Sequence, residues 1–193
     1  MLNLKINRHE KFTFCTFLLS ILPISVFGQK MEFFGQINKE RITPVINFST
    51  NKSFNEKFGL TFFSLISEAG WAEANFGPTF SPTANSCFSV SAGIETGGNK
   101  FRMATSAFIA FKSGIHFLLV AEKGQGDNNY WYHTQIMKSW KKISAGIMAR
   151  RFNGVGPRME VKLTKDFTLW AAPLYDLEDE KIKGVVSLAI NFK

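Results

Sequence analysis

From Ile182 to Phe192 the chain alternates strictly. Ile182, Val186, Leu188, Ile190 and Phe192, with Gly184 among them, fall on one side of an extended chain, and Lys183, Val185, Ser187, Ala189 and Asn191 on the other. A period of two sustained this long predicts a β-strand with one apolar face, ended by an aromatic residue. The same period recurs upstream. Arg41 to Ser49 sets Ile42, Pro44, Ile46 and Phe48 against Thr43, Val45, Asn47 and Ser49. Gly70 to Phe80 sets Ala72, Ala74, Phe76, Pro78 and Phe80 against Trp71, Glu73, Asn75 and Thr79. In Asn85 to Thr96, Phe88, Val90, Ala92 and Ile94 oppose Cys87, Ser89, Ser91, Gly93 and Glu95. Lys100 to Lys112 opposes Phe101, Met103, Ala107, Ile109 and Phe111 to Lys100, Arg102, Ala104, Ser106, Ala110 and Lys112, with Phe108 the one bulky apolar residue on the polar side. Ile115, Phe117, Leu119 and Ala121 then alternate with His116, Leu118, Val120 and Glu122, and Val155, Pro157, Met159, Val161 and Leu163 with Arg158, Glu160 and Lys162.

Three segments are less regular. Lys57 to Ser67 alternates through Phe58, Leu60 and Phe62 and slips at Phe63, as a β-bulge would make it do. Tyr130 to Trp140 reads equally on either face, and Phe167 to Tyr175 is apolar on both. Short links with turn chemistry separate the strands: Gly97, Gly98 and Asn99; Ser113 and Gly114; Asn153 and Gly154; Lys165 and Asp166. The longest is the polar run Lys123 to Asn129. Hairpins this tight predict an all-β antiparallel up-and-down meander of about twelve strands, or about ten without the doubtful segments. Met31 to Ile37 counts as the first of the twelve.

The leader is of another kind. Lys5, Arg8 and Lys11 precede an apolar stretch from Phe12 to Phe27, broken at Pro23, with small residues near Gly28. This predicts a signal peptide over residues 1–28, cleaved before Gln29. The apolar stretch falls short of the roughly 20 residues that a spanning helix needs. Removing the leader lowers the formal charge from +8 to +6, since it takes three bases and one acid with it. The remaining bases are scattered among strands and do not form an arm or patch, which argues against nucleic acid as a partner. Cys15 lacks the context of a lipid-modified cysteine. Cys87 alone remains in the mature chain, which leaves no intramolecular disulfide and no thiolate metal site.

A barrel with one apolar and one polar face can be assembled in two ways: apolar side inward, as in a soluble lipocalin-like barrel, or outward, as in a membrane barrel. Three features favour the outward arrangement. The polar face is rich in small residues (Ser89, Ser91, Ala104, Ser106, Ser144, Gly146, Ser187 and Ala189), as a crowded lumen requires. Aromatic residues gather near strand ends, at Phe80, Phe101, Phe111, Tyr130, Tyr132, Trp140, Phe152, Phe167, Tyr175 and Phe192. No charge interrupts the apolar faces of the regular strands, where an Arg or Lys at mid-bilayer would cost roughly 2 to 4 kcal/mol.

With its leader, its hairpins and the terminal strand GVVSLAINF, the mature chain resembles the small bacterial outer-membrane β-barrel proteins. The resemblance implies export to the outer membrane, contact with its lipid, and insertion by machinery that reads a terminal strand ending in an aromatic. Here Lys193 follows Phe192, a departure from that pattern.

In this orientation the predicted lumen carries Lys100, Arg102, Lys112, Arg150, Arg158, Lys162 and Lys183 against Glu73, Glu95, Glu122 and Glu160, an excess of positive charge. Two readings follow: a narrow passive pore that favours small anions, or a structural barrel whose charges pair across the lumen and fill it. A lipid-modifying enzyme and a soluble ligand-binding barrel are the alternatives. The only histidines of the mature chain, His116 and His133, lie in no lipase- or deacylase-like motif; the expected role is that of a lumen histidine bonded to a carboxylate such as Glu122. The acidic cluster Asp176, Glu178, Asp179 and Glu180 lacks metal-ligand spacing and reads as a solvated turn. No cofactor is expected.

Overall fold

In a computed structural model of the chain, residues 29–39, 41–97 and 100–192 are described. The predicted signal segment, Gly98 and Asn99 of one hairpin, and Lys193 lie outside the described residues. The twelve strands are β1 (Gln29–Ile37), β2 (Ile42–Ser53), β3 (Phe58–Ser67), β4 (Ala72–Thr83), β5 (Ser86–Glu95), β6 (Phe101–Ala110), β7 (Ile115–Gly124), β8 (Tyr130–Trp140), β9 (Ile143–Arg150), β10 (Gly154–Lys162), β11 (Phe167–Asp176) and β12 (Lys181–Phe192). Each pairs antiparallel with its neighbours in sequence, and β12 returns to β1 from Gln29↔Phe192 to Ile37↔Gly184. The barrel is closed, so no sheet edge leaves its peptide groups unpaired. Strands of eight to twelve residues match the roughly 9 to 11 needed to cross a bilayer at a tilt.

Side-chain alternation fixes which face is which. Ile42, Phe76, Val90, Ile136, Ile147 and Met159 are each more than half exposed, whereas Glu73, Arg102 and Glu122 are nearly inaccessible. The apolar face points outward on every regular strand, the reverse of a soluble lipocalin-like barrel. The ten strand-end aromatics divide evenly between two rims. Phe80, Phe111, Trp140, Phe167 and Phe192 lie near the rim where β1 begins and β12 ends; Phe101, Tyr130, Tyr132, Phe152 and Tyr175 lie near the far rim. Two bands of this kind, flanking an apolar belt, fit the interfaces of a membrane.

The irregular segments resolve without a bulge in β3. Its pairing with β4 runs unbroken from Phe58↔Phe80 to Ile66↔Ala72. Phe63 and Leu65 face the lumen, so the apparent slip is a change in the chemistry of the inward face, not in register. The irregularity in the ladder lies between β4 and β5, between Phe80 and Thr83. β8 turns Trp131, His133, Gln135 and Met137 inward. β11 is apolar on both sides because Trp170, Ala172 and Leu174 pack inside with Phe34, Val45, Met148 and Val185. This cluster fills part of the lumen where β1, β2, β9, β11 and β12 face it. β7 extends to Gly124, which shortens the polar link after it to residues 125–129.

Candidate lumen site

Cross-strand register assembles the charged site at the far rim. Glu73 of β4 lies directly opposite Glu95 of β5, a pairing of like charges that destabilises a sheet unless a cation joins it. Arg102, one strand further round, supplies the cation. Its Nη1 lies 2.6 Å from Glu95 Oε2, and its Nε lies 2.8 Å from Glu122 Oε2 and 3.0 Å from Glu73 Oε2. All four side chains are almost fully enclosed. Asn129, from the link after β7, accepts a bond from Arg102 Nη1 at 3.1 Å and donates to Glu95 Oε1 at 2.5 Å. The Trp71 ring packs 5.4 Å from the guanidinium, and its indole N–H donates to Glu73 at 3.2 Å. One arginine thus holds three carboxylates.

Gly124 permits the approach of the link: a Cβ there would meet the Asn129 side chain and lie 2.7 Å from Glu95 Oε1. Arg151 secures the same link from the other side. Its Nη1 donates to the carbonyl oxygens of Asn128, at 2.7 Å, and Tyr130, and the guanidinium lies 3.5 Å from the Tyr130 ring centre and 4.3 Å from that of Phe152.

A second group lies deeper. Glu32 of β1 accepts the Trp170 indole N–H at 2.5 Å and the Ser187 hydroxyl at 2.9 Å on one oxygen, and Asn47 Nδ2 at 3.3 Å and Lys30 Nζ at 3.4 Å on the other. Arg158 lies 4.0 Å over Trp170, donates to Gln135 Oε1 at 2.6 Å and pairs with Glu160 at 3.1 Å. Arg150 is as buried as Arg158 but differs in its partners: its guanidinium lies 4.6 Å from the Phe34 ring centre and 5.1 Å from that of Trp131.

Of the residues predicted for the lumen, the structure therefore joins Glu73, Glu95, Arg102 and Glu122 in one cluster and Arg158 with Glu160 in another. Lys100, Lys112 and Lys162 are exposed at the barrel ends, where β6 begins, in the turn after it and where β10 stops. His116 packs against Phe108 with ring centres 5.9 Å apart, and His133 bonds Gln135 at 3.1 Å. The expected histidine–carboxylate bond to Glu122 is replaced by the charge-assisted bond from Arg102. Lys183 reaches Asp176 at 2.5 Å and Asp179 at 2.6 Å, so a cation of the chain itself neutralises the acidic turn. The sequence assigned no face to Glu32, because the pattern of β1 is short and its inward set mixes Lys30, Glu32, Phe34 and Gln36. The buried acids thereby gain Glu32 and Asp176, and the buried charges come close to balance.

Between these groups runs a cavity of about 660 Å³. Lys30, Ser49 and Thr61 line it toward the terminal rim and Asn128, Tyr130 and Phe152 at the far rim; Arg102, Arg150, Arg158 and Trp170 lie along it.

A closed antiparallel barrel with an apolar exterior and a charged lumen has the architecture of a membrane β-barrel. The sequence matches no family profile and no curated protein. Solved structures share the fold. The KdgM porin superposes with a TM-score of 0.58 at 9% identity, over 85% of this chain and 99% of that one. The KdgM porin in complex with disordered oligogalacturonate gives 0.57 at 10% identity, over 85% and 99%. The NanC porin gives 0.54 at 7% identity, over 84% and 99%.

Proposed function

We propose that the protein is a narrow passive pore of the bacterial outer membrane that admits small anionic solutes. The observation that carries this reading is the cavity, lined by charged as well as apolar side chains and reaching residues near both rims of a barrel whose outer surface suits lipid. The porin likeness supports passage, and the oligogalacturonate named with one neighbour supports an anionic solute. Exposure of the apolar face to hydrocarbon requires the closed ring, and the β1–β12 pairing up to Phe192 provides the terminal strand on which the insertion machinery would act. Lipid-modifying catalysis finds no support in the histidines: His133 contacts Gln135 and Trp131, His116 contacts Phe108, and among the described residues neither bonds a serine.

A structural role is the second reading. It is favoured by the Phe34–Trp170–Leu174 cluster, which fills part of the lumen, and by the charge pairing around Arg102. Reconstitution into planar bilayers decides between the two. Discrete conductance steps with an anion-favouring reversal potential in a salt gradient are expected; a purified, folded barrel that produces no steps would leave the structural role.

A further inference from the structure

Three carboxylates line the cavity with Arg150, a fourth, Glu160, lies outside that lining, and each is committed elsewhere. Glu73 and Glu122 hold Arg102, Glu160 pairs with Arg158, and Glu32 accepts from Trp170, Ser187, Asn47 and Lys30. No hydrogen bond or ion pair joins the Arg150 side chain to any described residue, and its Nε is buried without a partner. The residue is 6% exposed and borders the cavity. Burial of a charge without a counter-charge is unfavourable; Arg151, also buried and without a carboxylate in contact, donates to two backbone carbonyls, whereas Arg150 has no such acceptor.

The Phe34 ring, from across the lumen, and the Trp131 ring, from the neighbouring strand, supply contacts to the guanidinium that attract a cation without neutralising it. They leave the in-plane N–H donors for something else. A planar guanidinium edge matches two oxygens held in one plane, the geometry of a carboxylate, better than it matches a spherical ion.

We infer that Arg150, held against Phe34 and Trp131, is a carboxylate-binding site within the lumen, the place where a small organic anion pauses in transit. The inference deepens the pore reading and rests on it for the transit; the binding itself does not depend on conduction. Arg102 takes no part in it, because its charge is already met by three glutamates. Arg150 is the site because its hydrogen-bonding capacity is unused.

The test uses the whole folded barrel in detergent with sodium acetate as probe and sodium chloride at equal ionic strength as control. Acetate is expected to change the tryptophan fluorescence saturably, with the change lost in Trp131→Phe, lost in Arg150→Gln, and requiring at least about tenfold more acetate in Arg150→Lys, which keeps the charge but not the fork. A saturable response that survives in Arg150→Gln, an equal response to chloride, or no response in the unmodified protein would each overturn the site. The Arg150→Lys comparison keeps the test decisive should Arg150→Gln fail to fold.

Bilayer recordings separate this inference from the pore reading. Conductance steps whose anion preference is unchanged in Arg150→Gln would refute the site and leave the pore. Acetate binding by a barrel that never conducts would refute the pore and leave the site.

Discussion

The Glu32 carboxylate accepts the indole N–H of Trp170 at 2.5 Å, a bond that joins residues 138 positions apart and spans the seam where β12 returns to β1. Ser187, on the strand between them, donates to the same oxygen at 2.9 Å. The seam is the pairing of greatest sequence separation in the barrel, so its closure carries the largest loop-entropy cost. A buried acceptor there rewards the correct register, since a shift by one residue would move Glu32 to the lipid face. Glu32→Leu is expected to strand the Trp170 and Ser187 donors at about 1–3 kcal/mol each. Glu32→Gln keeps an acceptor oxygen and should lose less. Urea unfolding followed by heat-modifiable gel migration measures both, and equal stability of Glu32→Leu and the unmodified protein would remove the proposed role.

Removal of Arg102 should do more damage than removal of any one of its partners. Arg102→Met leaves Glu73, Glu95 and Glu122 enclosed together with their shared cation gone, and breaking a buried ion pair in this way typically costs about 3–5 kcal/mol. Glu95→Gln leaves the arginine with two carboxylates and should cost much less. The same unfolding measurement is expected to rank Arg102→Met far below Glu95→Gln, and the reverse order would show that the cluster is not organised around the arginine.

The link after β7 depends on a missing side chain. Gly124→Ala would push a methyl group into Asn129 and toward Glu95 Oε1. The flexible Asn129 side chain, not the strand, is the part able to yield, so the variant should keep its barrel and loosen residues 125–129. Limited digestion with proteinase K is expected to cut the link about tenfold faster, equivalent to about 1.4 kcal/mol less opening free energy. Unchanged digestion would mean that Arg151, through Asn128 and Tyr130, holds the link alone.

The twelve-strand barrel was legible because its evidence is repeated. The period of two in Arg41–Ser49, Asn85–Thr96 and Ile182–Phe192 marks the same face each time, and the structure turns that face outward on all of them. The misreadings arise where the lumen is not polar. Phe63 and Leu65 look like a slip and are inward apolar residues; Trp170, Ala172 and Leu174 make β11 ambiguous because they pack inside the barrel. The Arg102 cluster was legible only as a set of inward charges. Which glutamates meet depends on register: Glu73 and Glu95 are level because of a hairpin of fixed length between β4 and β5, and single-strand periodicity carries no such information. Arg150 illustrates the same limit. The sequence places it inward among seven bases, but its lack of a carboxylate partner emerges only when the acids around it are seen to be occupied.

Ile136 and Ile147 face each other across β8 and β9 on the outer surface, both well exposed and both near mid-strand. In a soluble barrel an exposed isoleucine is a weak point, and an arginine in its place would be neutral or would improve solubility. In a barrel surrounded by hydrocarbon the same change places a charge near the bilayer midplane, at a cost of about 2–4 kcal/mol. The two environments therefore predict opposite signs for one substitution. Ile136→Arg is expected to lower the stability of the barrel refolded into lipid vesicles and to reduce the folded fraction that migrates as a heat-modifiable band. Tyr132→Arg, on the same face but in the far-rim band, should cost less, because the penalty falls toward about 0–1 kcal/mol at the interface. If both arginines were neutral, the outer face would be in water, and the orientation on which the lumen site depends would be wrong.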